Sequence, residues 1–513
     1  MKVNSPILPQ PQGETLGGVF RQVSHRRAQH MALIFQGQSI TYAELEALVQ
    51  RCAAQLLAWG VRSGDRVACL AQGHPLQIAA WLALSEIGAI WVPLNFRLAL
   101  AEWQQILQDC SPRCLLVDDD GWPAGQSLTQ HAPIALHRLT DLDADPPPSV
   151  LERPEPNPQA PVLLVYTSGT TGQPKGAVHT LANVWANAQA AIHAQRLGPE
   201  DRVLTMLPLF HVGGLCIQTL PALLSGATVV LHPRFDPQAV WRDLVRYHIT
   251  LTLMVPAVMK AVIEHPAFHA TPLPDLKAIW AGSSVLPDEL LLPWHQRNIP
   301  VCNVYGATET GPFSLALGPE HARTHLGSCG WPALGVQAKL IDTSADGVGQ
   351  VCLRGDAVVQ RYWPDRPALD EEGWFHTGDL AALQADQSWR IVGRAKDMII
   401  SGGENIYPAE IEHILLRHPA VLECAVVGLP DARWGEQVVA AVVLKPGLEA
   451  SEEELLADVR RSLARYKHPR QLVLSSELPK TALGKIKKDQ LVQQLIGHAG
   501  TAATLSANSL RFP

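Results

Sequence analysis

The stretch PVLLVYTSGTTGQPKGAVH, Pro161 to His179, decides how this chain is read. Pro161 to Val165 is a short apolar run of the kind that forms a buried strand. From Tyr166 onward come three Gly, one Ser, three Thr and one Lys. Gly169, Gly172 and Gly176 allow backbone angles that a Cβ forbids. A loop of this kind turns several N–H groups toward one point and cradles an oxyanion, with hydroxyls and an ammonium beside them. The spacing is not that of the common nucleotide loop, G-x-x-x-x-G-K-[ST], because Lys175 follows Pro174 and precedes Gly176. The stretch is therefore either a different phosphate loop or a surface turn.

Working outward, helical and strand patterns alternate on both sides. Thr41 to Glu44 has the pattern of a capping box, and Leu45, Leu48, Val49, Cys52, Leu56 and Leu57 follow on one face. Gly60 stops that helix, and Asp65 to Leu70 and Cys114 to Val117 read as strands. Downstream, Ala227 to His232, Leu251 to Val255, Ala278 to Ala281 and Val301 to Tyr305 read as strands. This alternation predicts an α/β fold of layered sheets and helices. Proline-rich segments, 145–149 and 154–158, lead into the opening stretch.

After Gly393 the texture changes to a small α+β unit. Pro408 opens a helix, Val421 to Val427 and Val438 to Leu444 read as strands, and Ser451 with Glu454 caps another helix. The expected division is a large N-terminal domain, 1–393, and a small mobile C-terminal domain, 394–513. The tail from Ala499 to Pro513 has little to bury and is expected to be mobile.

The bulk numbers exclude several classes. The 513 residues suffice for two or more domains. The chain is 47% hydrophobic and 17% charged, an ordinary globular balance. A net charge of −7 with no basic block argues against nucleic-acid binding. The start, MKVNSPILPQPQGE, lacks the charged and apolar regions of a signal peptide. The most apolar segment, Ile78 to Leu94, is broken by Ser85-Glu86 and predicts no transmembrane span. Nine dispersed Cys read as reduced, buried thiols in a cytoplasmic protein and not as a disulfide framework or zinc site.

Further stretches stand out: Leu207-Pro-Leu-Phe-His-Val-Gly-Gly-Leu215, Val304-Tyr-Gly-Ala-Thr-Glu-Thr310, Gly373-Trp-Phe-His-Thr-Gly-Asp-Leu380, Val392 to Glu412, and Leu478-Pro-Lys-Thr-Ala-Leu-Gly-Lys-Ile-Lys487. Taken singly, His211 reads as a packed histidine, Asp379 as a turn residue and Lys485 as a solvated charge. As an ordered set they resemble the adenylate-forming superfamily, over about residues 15–490. That family includes acyl- and aryl-CoA ligases, amino-acid adenylation domains and firefly-type luciferases.

The resemblance implies a reaction. A carboxylate attacks the α-phosphate of ATP, and both are anions. Two unit charges about 4 Å apart repel by roughly 4 kcal/mol at an effective dielectric near 20, so cations and oriented dipoles must offset this. By resemblance, Thr167, Ser168, Gly169, Thr170, Thr171, Gly172 and Lys175 hold the β- and γ-phosphates and then pyrophosphate. Thr308 contacts the α-phosphate, and Glu309 holds Mg²⁺, a hard ion suited to oxygen ligands. Tyr305 stacks on adenine, with Gly282, Ser283 and Ser284 at its edge. Asp379 accepts the ribose hydroxyls, and Arg394 adds a ribose or phosphate contact. Lys485 bridges the acid and the ATP phosphate.

In the family the small domain then rotates and presents another face for thioester formation with coenzyme A. By alignment Lys396 is the pivot, where many CoA ligases carry Asp, and Ser401, Gly402 and Gly403 meet the pantetheine arm. Tyr466-Lys467-His468 is a weaker candidate for the CoA nucleotide. Lys487 is a second departure, where many relatives have Arg.

The acid pocket is expected from His211 to Gly214, Ala281-Gly282 and Tyr305 to Ala307. Apart from His211 these residues are neutral and mostly small. Amino-acid-activating relatives carry Asp near this histidine, and a dicarboxylate would want a cation. The expected substrate is therefore a small-molecule carboxylic acid with a hydrophobic tail, fatty or aromatic. A succinylbenzoate or other dicarboxylate ligase, or a ligase loading a separate carrier protein, is the alternative. A luciferase-like oxidase, a P-loop kinase and an inactive binding homologue are less favoured readings. The resemblance leaves room for a homodimer.

Overall fold

The computed structural model describes residues 13–130, 132–145, 154–168, 174–282, 286–401, 404–431, 433–481 and 485–502. Packing divides the chain into two units. The first comprises Met1–Leu286, Leu290–Lys339 and Cys352–His376; the second comprises Pro287–Glu289, Leu340–Val351 and Thr377–Pro513.

The first unit is built on two large sheets. One has nine strands, in the order Trp331–Pro332, Leu315–Ala316, Val301–Tyr305, Ala278–Gly282, Leu251–Met254, Arg202–Thr205, Thr228–Leu231, Met31–Phe35 and Gln38–Thr41. Its middle is parallel, with Leu33 opposite Val229 and Ile279 opposite Val301. The other has eight strands, in the order Arg366–Pro367, Arg361–Tyr362, Pro174–Thr180, Pro161–Ser168, Ile90–Pro93, Arg66–Leu70, Cys114–Val117 and Ala135–Arg138. The central strands are continuous apolar runs, as expected where both faces of a parallel sheet are covered.

Local signals explain the helices. At Tyr42–Ala58 the capping box forms as expected: Glu44 N–H donates to Thr41 Oγ1 at 3.2 Å, and Thr41 N–H donates to Glu44 Oε2 at 2.7 Å. Leu45, Leu48, Val49, Cys52 and Leu56 are buried, while Leu57 is half-buried. The helix Pro75–Ile87 is buried at every position, which is why it is apolar all round. It contains most of the apolar segment considered above, and its Glu86 is ion-paired with Arg21 at 2.5 Å. No helix among the described residues is long and apolar enough to cross a membrane. All nine Cys are buried and free.

The second unit has a five-stranded sheet. Its longest pair, Val421–Asp431 and Gly435–Leu444, runs antiparallel from Val421 opposite Leu444 to Asp431 opposite Gly435. Both strands extend beyond their apolar runs because they pair almost to the turn. Alternate residues serve two cores: Cys424 and Val426 on one face, Ala425 and Val427 on the other. The predicted cap of Glu452–Ser462 forms, with Glu454 N–H donating to Ser451 Oγ at 3.3 Å.

This unit reaches upstream of residue 394. Phe375–Leu383 pairs antiparallel with Trp389–Arg394, and Val348, Leu380 and Tyr407 share an apolar cluster. A hinge near Lys396 concerns motion and remains a proposal. The tail from residue 503 and the link 146–153 lie outside the described residues; Ala499 to Ala502 continue the helix Lys488–Ala502.

Candidate active site

The opening stretch folds as a hairpin. Pro161–Ser168 pairs antiparallel with Pro174–Thr180, placing Ser168 opposite Pro174, Thr167 opposite Lys175 and Tyr166 opposite Gly176. The loop residues Gly169, Thr170, Thr171 and Gly172 lie outside the described residues, as do Ser283, Ser284, Gly402, Gly403 and the side chain of Ser168. The stem is described, and it corrects one expectation. Gly176 has no left-handed backbone angle; it is needed for space. A Cβ there would lie 2.8 Å from Leu164 Cδ1 and 3.0 Å from the Tyr166 ring. That ring cannot easily yield, because its hydroxyl donates to Asp109 Oδ2 at 2.5 Å.

In the first unit this stem meets Glu309. The segment Thr308–Thr310 is a single tight turn. Ala307 N–H donates to Thr310 Oγ1 at 2.9 Å, Ser314 Oγ donates to Thr310 Oγ1 at 2.8 Å, and Val359 N–H donates to Glu309 O at 2.8 Å. Thr308 is buried and Glu309 half-buried. One carboxylate oxygen, Oε1, accepts from Tyr362 Oη at 3.1 Å and from Thr167 Oγ1 at 3.4 Å. Lys175 Nζ lies 5.6 Å from the Tyr362 ring centroid. Burial, then the charge of Glu309, raises the Tyr362 pKa above the ordinary tyrosine range.

Thr167, Lys175 and Glu309 are thus brought together, and Tyr362 joins them unforeseen. Its only sequence signal is the neighbouring Trp363-Pro364, which says nothing of a partner 185 residues earlier, Ala177. A half-buried carboxylate whose partners among the described residues are hydroxyls fits a divalent cation that also leans on substrate phosphates.

Gly282 ends a strand beside Val304, and a Cβ on it would lie 2.5 Å from Val304 O. Tyr305 ends the next strand and is half-buried. His211 precedes a wide π-helical turn, Gly213–Thr219. Such turns are rare and concentrate at functional sites. His211 Nδ1 accepts from Gly213 N–H at 3.0 Å, which puts the proton of the neutral ring on Nε2. Gly214 allows the chain to pass Pro208, whose carbonyl oxygen would lie 2.3 Å from a Cβ.

In the second unit, Asp379 is buried and paired with Arg394, Nε to Oδ1 at 2.8 Å, across the hairpin that sets them opposite each other. Lys485 is tied to Thr481: its N–H donates to Thr481 Oγ1 at 3.1 Å and Thr481 N–H donates to its carbonyl at 2.7 Å. Next to it Ile486 packs on the core around Leu478 and Leu491. Lys485 retains exposed surface yet is closely surrounded. Desolvation first, then the Arg394 guanidinium, lowers its pKa below the usual lysine range, against an opposing pull from Asp379. Ser401 is buried opposite Glu404 and Gly435. Lys396 is ion-paired with Asp489 at 3.3 Å.

Residues 20–363 match the AMP-binding enzyme family, and residues 410–485 match its C-terminal domain. The chain belongs to the AMP-binding enzyme family, among its acid–CoA ligases. It is 40% identical to an indoleacetate–CoA ligase of Aromatoleum aromaticum, covering 91% of this chain and 95% of that one. It is 38% identical to a feruloyl-CoA synthase of Amycolatopsis, covering 89% and 94%. In fold it is similar to the o-succinylbenzoate CoA synthetase of Bacillus subtilis in complex with its acyl-adenylate intermediate, with a TM-score of 0.85, 31% identity, and 94% and 98% of the two chains covered. A second structure of that synthetase holds ATP and a magnesium ion.

Proposed function

We propose that this ligase activates an aromatic carboxylic acid. The acid oxygen attacks the α-phosphorus of ATP, the bond to pyrophosphate breaks, and a thiol then displaces AMP from the acyl group. Coenzyme A is the proposed thiol and the cytoplasm the proposed site of action. The observation that carries the phosphate chemistry is the convergence of Thr167, Lys175 and Glu309 at the stem of the Gly-rich loop.

The proposed roles follow from chemistry. Thr167 and Lys175 face the leaving pyrophosphate, where donors stabilise charge as it develops. Glu309 is the proposed holder of the magnesium ion, which when bound neutralises phosphate charge. Asp379 accepts the ribose hydroxyls, its carboxylate fixed by Arg394. Lys485 supplies the ammonium for adenylation. The segments proposed for the acid pocket carry no Asp, Glu, Lys or Arg, and their titratable groups are His211 and the phenol of Tyr305, which favours an uncharged tail. The similarity to ligases named for indoleacetate and ferulate turns that preference toward aromatic acids.

The test is acid-dependent release of AMP and pyrophosphate from ATP, Mg²⁺ and CoA, over arylacetic, hydroxycinnamic, benzoic, fatty and dicarboxylic acids. The highest kcat/KM is expected for an aromatic acid. A fatty or dicarboxylic acid in that place overturns the substrate assignment. No pyrophosphate with any acid overturns the reaction.

A further inference from the structure

Tyr362 belongs to none of the segments singled out by sequence, yet it contacts two groups proposed to serve the phosphates. Its hydroxyl donates to Glu309 Oε1 at 3.1 Å, and its ring lies beneath Lys175 Nζ at 5.6 Å. Its own position is set by the backbone. Tyr362 is paired with Ala177, and Trp363 N–H donates to the carbonyl of Gly176 at 2.7 Å. The residue that reaches Glu309 is therefore stitched to the strand that carries Lys175.

A glutamate carboxylate turns easily about its last torsion, which is broad and nearly two-fold. Left alone, Glu309 would present either oxygen to a cation. The Tyr362 hydroxyl on one oxygen restricts that freedom, and Thr167 Oγ1, whose single proton is shared between that oxygen and the Lys175 carbonyl at the same 3.4 Å, adds a weaker second contact. Among the described residues no hydrogen bond reaches Oε2. At 3.1 and 3.4 Å the two contacts are longer than strong O–H···O⁻ bonds, so their effect is orientation and not tight binding.

We propose that Tyr362 is a positioning residue that, together with Thr167, holds Oε1 of Glu309 and leaves Oε2 to a divalent cation carried with ATP. The proposal rests on the reading of this site as an adenylating one with Glu309 at the cation.

The test uses the full-length protein and binding, not turnover. Calorimetry measures affinity for a non-hydrolysable ATP analogue over a series of Mg²⁺ concentrations, and electron paramagnetic resonance measures bound Mn²⁺ in its presence. In Tyr362→Phe the half-saturating Mg²⁺ is expected to rise about fivefold, with the thermal midpoint unchanged. Thr167→Val is expected to move it in the same direction, and the double variant by less than the product, because both act on one oxygen. An unchanged Mg²⁺ dependence in both variants, with the wild type clearly dependent, overturns the positioning role alone. A wild type whose analogue binding ignores Mg²⁺ overturns the adenylating reading of the site, and the proposal with it.

Discussion

His179 ends the opening stretch, is 2% exposed, and its Nε2 has no hydrogen-bond partner among the described residues. Burial pulls its pKa down to about 4. The unfolded chain, near 6.5, takes up the proton first. The stability held by neutral His179 is therefore complete above that value and lost as pH falls toward 4. The full linkage is about 3 kcal/mol. Urea unfolding at a series of pH values should show this loss in the wild type, and His179→Gln should lack one proton's worth of slope between pH 4 and 6.5. Lys485 carries a second pH effect. In the role proposed for it the ammonium must be charged, and its pKa lies below the ordinary 10.5. The alkaline limb of pyrophosphate formation should therefore fall below that value. Lys485→Ala should abolish adenylation and still permit thioester formation from preformed adenylate, checked by supplying the acyl-adenylate with CoA. The residue types of Glu309, Asp379 and Lys485 were legible in the sequence because each sits in a short ordered motif. Tyr362 was not, because its partners arrive from residues 167, 175 and 309 only after the chain has folded.

The hairpin Pro161–Ser168 and Pro174–Thr180 is tight at Gly176. Gly176→Ala forces a methyl against Leu164 and against a Tyr166 ring tethered to Asp109. The expected cost is about 1–3 kcal/mol, read from the urea midpoint, and Tyr166→Ala in the same chain should reduce it. In the second unit, Ser451→Ala removes the cap of Glu452–Ser462. A loss of about 1 kcal/mol is expected, and hydrogen exchange should localise it to that helix. Elements such as these were legible because their signals are local: a capping pair three residues apart, a Pro at a first turn, an apolar run. The π-helical turn Gly213–Thr219 was not, since no local preference favours it. It forms where Gly214 must pass the Pro208 carbonyl.

At the scale of the molecule, packing ties the hairpin ending at Arg394 to the C-terminal unit. Val348, Leu380 and Tyr407 form one cluster, with Ala382, Val392 and Met398 against it. A fragment 377–502 keeps most of this cluster and the Asp379–Arg394 pair, while 394–502 loses both. The longer fragment should unfold at higher urea by circular dichroism; equal midpoints would show the upstream hairpin to be dispensable. Texture along the sequence suggested a change near residue 394, because the helix and strand patterns that follow read as a small α+β unit. Texture could not reveal which earlier strands the second unit recruits, since recruitment depends on pairing across the intervening residues. What the sequence determined by itself was the α/β alternation, the strand that opens at Pro161, the caps and the motif set of an adenylate-forming enzyme, all carried by short-range patterns; the returning strand Pro174–Thr180 emerged only in the fold. What only the tertiary structure decided was which side chains surround Glu309, why Gly176 must be glycine, and where the second unit's packing begins. Each of these depends on atoms far apart in sequence approaching within a few ångströms, and no local pattern encodes that approach.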